Sequence, residues 1–131
     1  MSNINFEDGL KSFTINNDPN RVITFNPSDI EMSERMDIAE QKIIEAARKV
    51  DVDDKDKISI IEADNIIKEQ VDYIFGSPVA NIIFGSASPM APVKGVPLYV
   101  HFIEAVIPKI ENQCKAEAEA TRKKIEKYRL R

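Results

Sequence analysis

At 131 residues and 14.8 kDa the chain has the length of one domain, and a compact chain of this size buries roughly two-thirds of its extended surface, enough for one modest core. A hydrophobic fraction of 43% beside a charged fraction of 31% excludes a chain disordered throughout. No apolar run is long enough to span a bilayer, because "VPLYVHFIEAVIP" is short and is broken by His101 and Glu104. The start, "MSNINFEDGLK", carries acidic residues where a signal peptide needs a basic leader and an apolar stretch, so the expected compartment is the cytoplasm. The one cysteine, Cys114, rules out an internal disulfide. The net charge of -4 is uneven, for the final "KAEAEATRKKIEKYRLR" holds seven basic and three acidic residues, which leaves about -8 on everything before it.

In chain order, "SFTI" and "VITF" are short β-prone runs on either side of "NNDPNR", and the Asn, Asp and Pro between them supply turn chemistry. They predict a β-hairpin over about 11–25. A helix over about 29–50 follows, with Ser28 and Glu31 at the spacing of a capping box. Met32, Met36, Ala39, Ile43, Ala46 and Val50 recur at steps of four and three, a seam along one helix face. The connector "DVDDKDK" leads to a helix over about 58–75 whose buried stripe is Ile60, Ala63, Ile67, Val71 and Ile74, and which Gly76 and Pro78 terminate. Between Ser77 and Pro97 lie four of the seven prolines and two of the four glycines, so a loop is expected there, with a helical turn around "VANIIFG". A final helical segment over about 98–130 contains Pro108, which is expected to kink or divide it. Its distal part carries little apolar face, with Glu119 and Lys123 spaced for an ion pair. The fold class is thus mostly α: a short N-terminal β-hairpin, a small helical bundle with a Pro/Gly-rich loop, and a long C-terminal helix, in a single domain.

Three chemical features have simpler readings. "DVDDKDKISIIE" places Asp51, Asp53 and Glu62 as in a calcium loop, but Lys55 stands where an oxygen ligand is needed and Asp56 where the turn needs glycine, so a solvated turn is expected. His101 has no second histidine to share a metal or relay a proton, and Cys114 is flanked by Gln113 and Lys115 rather than by a base; both read as structural side chains. Neither catalysis, nor a metal, nor a cofactor is expected. The basic tail interleaves its cations with Glu126 on an acidic protein, an arrangement that argues against nucleic-acid binding.

"FGSPVANIIFGSAS" repeats Phe-Gly-Ser within nine residues. Phe75 and Phe84 can each enter the core while the following glycine closes a helix, and a hinge built this way could adjust the angle between early and late helices. A hairpin, "FNPSDIEMSERM" before a long helix, one "IFG" ending the second helix, another after a short gap, and a last segment opening on "YVHF" together resemble the tail assembly chaperones of long-tailed phages that infect Gram-positive bacteria. The resemblance runs from about Phe13 to about Tyr128. It implies a small, mostly helical protein that binds the tape-measure protein and keeps it soluble until the tail tube polymerises round it, in a family where a longer frameshifted form is often made. Self-association is expected for coating a long client, with Phe75, Phe84, Tyr99 and Phe102, then Met32 and Met36, as candidate partner-binding residues. A structural tail or connector component of a phage-like particle and a small nucleic-acid-binding regulator are the alternatives.

Overall fold

The computed structural model describes residues 1–51 and 55–129. Strands β1 (Lys11–Ile15) and β2 (Asp18–Phe25) form the hairpin; helices α1 (Met32–Val50) and α2 (Ile60–Phe75) form an antiparallel pair; a short helix α3 (Ala80–Phe84) and a two-strand ribbon, β3 (Pro92–Val93) with β4 (Val96–Pro97), lead into the long helix α4 (Leu98–Arg129).

The hairpin reverses over Asn16 and Asn17, both at positive φ (53° and 59°), the geometry of a two-residue turn that matches strand twist and that Asn tolerates. β2 therefore starts at Asp18, earlier than "VITF", and the residues after it bulge: Ile15 faces Asp18 while Thr14 faces Val22. The bulge holds Pro19 without loss of a ladder bond and turns Arg21 toward α3.

The seam of α1 is buried at Met32, Met36, Ala39, Ile43 and Ala46, with Ala47 in place of Val50, which is half-buried. It meets Ala63, Ile67, Val71 and Ile74 of α2, none of which has any exposed surface; alanines at Ala39, Ala46 and Ala63 let the two backbones approach. Ile60 departs from the expected stripe and is exposed, because it occupies the first turn, beyond the end of its partner's packed face. Ser28 does not cap α1. That helix begins at Met32 with no side-chain cap, and Asn26 and Asp29 instead close successive tight turns by accepting from the backbone N–H groups of Ser28 and Glu31. The Ser-x-x-Glu that does cap a helix is Ser59–Glu62, where the Ser59 hydroxyl accepts from the Glu62 N–H at 3.1 Å. α2 stops at Gly76, whose φ of 67° is left-handed.

The two Phe-Gly marks anchor different elements. Phe75 meets Phe25 edge-on at 5.4 Å, fastening the hairpin to the end of α2, and Phe84 meets Phe102 at 5.7 Å, fastening α3 to α4. Both rings are core, and each following glycine closes a helix at positive φ.

A helix of five residues cannot hold itself, so α3 is clamped from outside. Asp72 of α2 accepts from the N–H groups of Val79 (2.9 Å) and Ala80 (2.7 Å), and the Arg21 guanidinium donates to the carbonyls of Ile82 and Ile83. An anion at the N-terminus and a cation at the C-terminus both complement the helix dipole.

The Pro/Gly-rich segment is tied down rather than left as a free hinge. Asp64 accepts from the Ser88 hydroxyl (2.6 Å) and the Met90 N–H (3.2 Å), Pro89 is fully buried, and the N–H groups of Leu98 and Tyr99 donate to Ala91 and Pro89. His101 Nε2 lies 2.7 Å from the Val93 carbonyl, an acceptor, so Nε2 is the protonated nitrogen. α4 runs unbroken through Pro108. Pro108 and Glu104, whose carbonyl would have received the missing N–H, are both exposed, so the lost bond falls on the solvent side of the helix rather than in the core.

Candidate functional site: a groove between α1 and the distal part of α4

The proximal half of α4 belongs to the core, with Phe102, Ile107 and Ile110 buried and Cys114 half-buried. At steps of four, three and four the same face continues through Ala118, Thr121 and Ile125, yet from Ala118 onward every described residue of α4 is exposed. The seam that begins inside the protein therefore runs out uncovered along one side of a helix. Opposite it lies the chain entering α1. Between them is a cavity of about 1030 Å³ with Pro27, Ile30, Cys114, Ala118 and Ile125 among its lining residues. Ile30 is 94% exposed and Ile125 47%, so the groove presents an apolar side chain to solvent from each wall.

The polar rim carries both signs, and much of it is already paired. Lys11 reaches Glu117 at 2.7 Å, tying the hairpin to α4; Arg122 pairs with Glu119 at 2.6 Å and Glu126 at 3.1 Å, so Glu119 takes Arg122 rather than Lys123. These pairs at spacings of three and four support the free turns of the helix from within. On the opposite wall Arg35 binds Asp29 at 2.6 Å and donates to the Ile74 carbonyl at 3.1 Å, joining the entry to α1 with the end of α2. The hydrogen bond from Arg35 holds the Asp29 carboxyl below its ordinary range, against a smaller opposing effect of burial. At the closed end of the groove Cys114 points its thiol at the Met32 sulfur, 3.9 Å away. Burial first, then the charges of Asp29 and Glu111, push that thiol upward, so it stays protonated at neutral pH and is a poor nucleophile.

Of the residues expected to meet a partner, Phe75, Phe84, Phe102, Met32 and Met36 are buried in the chain's own core and Tyr99 is half-buried. In the folded chain the five buried side chains are not a surface, and Tyr99 keeps part of its own exposed. The apolar side chains that do face solvent at the groove, Ile30 and Ile125, sit in segments that read as a polar helix start and a charged tail; the four-three-four continuation of α4 through Ala118 and Thr121 is the signal that marks Ile125, and no local pattern marks Ile30. Among the described residues no three His, Cys, Asp or Glu side chains stand close enough to hold a metal ion. The calcium-like loop depends on Asp53, which lies outside the described residues. No described helix is long and apolar enough to cross a membrane. No family model, curated protein or solved structure matches the chain, so the groove is read from its own geometry.

Proposed function

We propose that the chain is a binding protein without catalytic activity that shelters an amphipathic helix of a long helical client, acting as a tail assembly chaperone for a tape-measure protein in the bacterial host cytoplasm. One observation carries the binding mode: the apolar seam of α4 leaves the core and continues uncovered past Ala118 and Ile125, opposite an exposed Ile30. A helix laid between these walls would replace the missing neighbour of α4 through i, i+3, i+4 anchors, the usual logic of a helix in a groove. A rim of both signs suits a client helix with mixed charges on its flanks. The resemblance in element order supplies the identity of the client. Each groove spans only a few helical turns, so many copies along one client would act through effective concentration, which makes self-association part of the proposal.

The test is co-expression with a long, helix-rich protein encoded beside the chain's own gene, scoring client solubility and recovery of a complex. Ile30→Glu and Ile125→Glu are expected to leave the chaperone folded, because both side chains are exposed, and to abolish client solubility. A wild-type chain that is folded but neither binds nor solubilises such a client refutes the proposal. Finding the chain in purified particles would favour a structural tail or connector component.

A further inference from the structure

Residues 1–7 make no hydrogen bond to the rest of the molecule among the described residues, yet they are not polar filler. Ile4 is 86% exposed and Phe6 78%, and the two alternate with polar neighbours, so in an extended arm they share one face. The point at which this arm leaves the body is built. Asn26 donates to the Asp8 carbonyl at 2.8 Å, and Gly9 packs so closely that a Cβ there would lie 2.6 Å from the Asn26 Oδ1, with φ at +85° where only glycine is relaxed.

The hairpin has a matching deficiency. Among the described residues β1 and β2 make a sheet of two strands only. On its inner face the residues from β2, Ile23 and Phe25, are buried, whereas those from β1, Phe13 and Ile15, are half-buried. The incomplete side is thus the outer edge of β1, which presents unpaired backbone groups next to two partly uncovered apolar side chains. An added strand would pair those groups and cover Phe13 and Ile15 with alternate residues of its own. The arm has the pattern, and at about 3.3 Å per residue its seven residues extend to about 23 Å, longer than the five-residue edge. It cannot turn back onto its own edge, because Asp8 and Gly9 are fastened to Asn26, the residue that follows β2, on the opposite side of the hairpin.

We propose that residues 3–7 of one chain add as a third strand to the open edge of β1 in a second copy. This deepens the self-association part of the proposed function, by naming the segment and the edge that join the copies. A contact of one short strand falls below the size of a stable interface, so the association is weak and concentration-dependent unless copies are held together on a client.

The experiment uses the protein alone, so that its failure is separate from failure to bind a client. In a Cys114→Ser background, Asn5→Cys and Ser12→Cys place single thiols on the outward faces of the arm and of β1. Mixing the two proteins under oxidising conditions is expected to give the mixed disulfide in excess of either homodimer. In the native sequence, molar mass by light scattering is expected to rise with concentration, and removal of residues 1–7 to abolish that rise while leaving the thermal transition of the monomer unchanged. A full-length chain that remains monomeric at all concentrations, with no excess of mixed disulfide, overturns the proposal. So does an association that survives removal of the arm, or a melting temperature that falls when the arm is removed from a monomer.

Discussion

Replacing Asp72 with alanine tests whether α3 depends on a clamp supplied by another helix. The carboxylate accepts from two backbone donors, but they are not equally exposed to its loss: Val79 N–H also reaches the Ser77 carbonyl at 2.9 Å, whereas Ala80 N–H has, among the described residues, only Asp72, at 2.7 Å. The substitution thus orphans one donor in a part-buried site and removes a negative charge from a helix N-terminus. A lost cap costs about 0.5–2 kcal/mol and an unsatisfied buried donor about 1–3 kcal/mol, two descriptions of one loss, so about 1–2 kcal/mol is expected. At this chain length that lowers the melting temperature by about 3–10 °C. Asp72→Asn keeps the oxygen acceptor and should lose less than half as much. Because Arg21 holds the other end of the same five-residue helix, the double variant Asp72→Ala, Arg21→Met should lose less than the sum of the two singles, since a helix already frayed from one end has less to lose at the other. The assay is urea unfolding followed by far-UV circular dichroism for the parent and the four variants. An Asp72→Ala variant within about 0.5 kcal/mol of the parent, the range of an ordinary surface substitution, would refute the clamp.

Three further outcomes follow from the same contacts. Asp29 has its carboxyl lowered by Arg35, so its contribution is fully present above the unfolded carboxylate range and is lost as pH falls through the folded value; Asp29→Asn should flatten the acid limb of stability below about pH 4, measured by thermal melts against pH. The Cys114 thiol, raised by burial, should react with iodoacetamide more slowly than a free thiol at mildly alkaline pH and recover the free rate in urea; equal rates in both would contradict its placement against Met32. Met36→Glu should unfold the chain rather than alter a binding surface, because an unpaired carboxylate would enter a site that is 1% exposed, and a variant that melts like the parent would remove Met36 from the core.

Local pattern alone was enough to write down the first two helices and the hairpin, because spacings of three and four along Met32 to Ala46 and Ala63 to Ile74, and the Asn-rich reversal, depend on neighbours in sequence. Gly76 could be read as a helix stop for the same reason: its backbone freedom is its own property. Side chains whose role depends on a distant partner were not legible. Ser28 and Glu31 have capping spacing, but Asn26 and Asp29 hold the turns that precede α1, and the working cap lies at Ser59. Phe75, Phe84, Met32 and Met36 look the same in sequence whether they face a partner or the core. Tertiary structure decides, because Phe25, Phe102 and Cys114 arrive from far along the chain to cover them. Pro108 suggests a break, yet α4 continues, since the carbonyl it deprives faces water. The groove is the fullest case: the face of α4 that starts at Phe102 continues through Ala118 and Thr121 to Ile125, and only packing determines that Met32 of α1 and Phe84 of α3 cover its first half and leave Ile125 across the groove from Ile30.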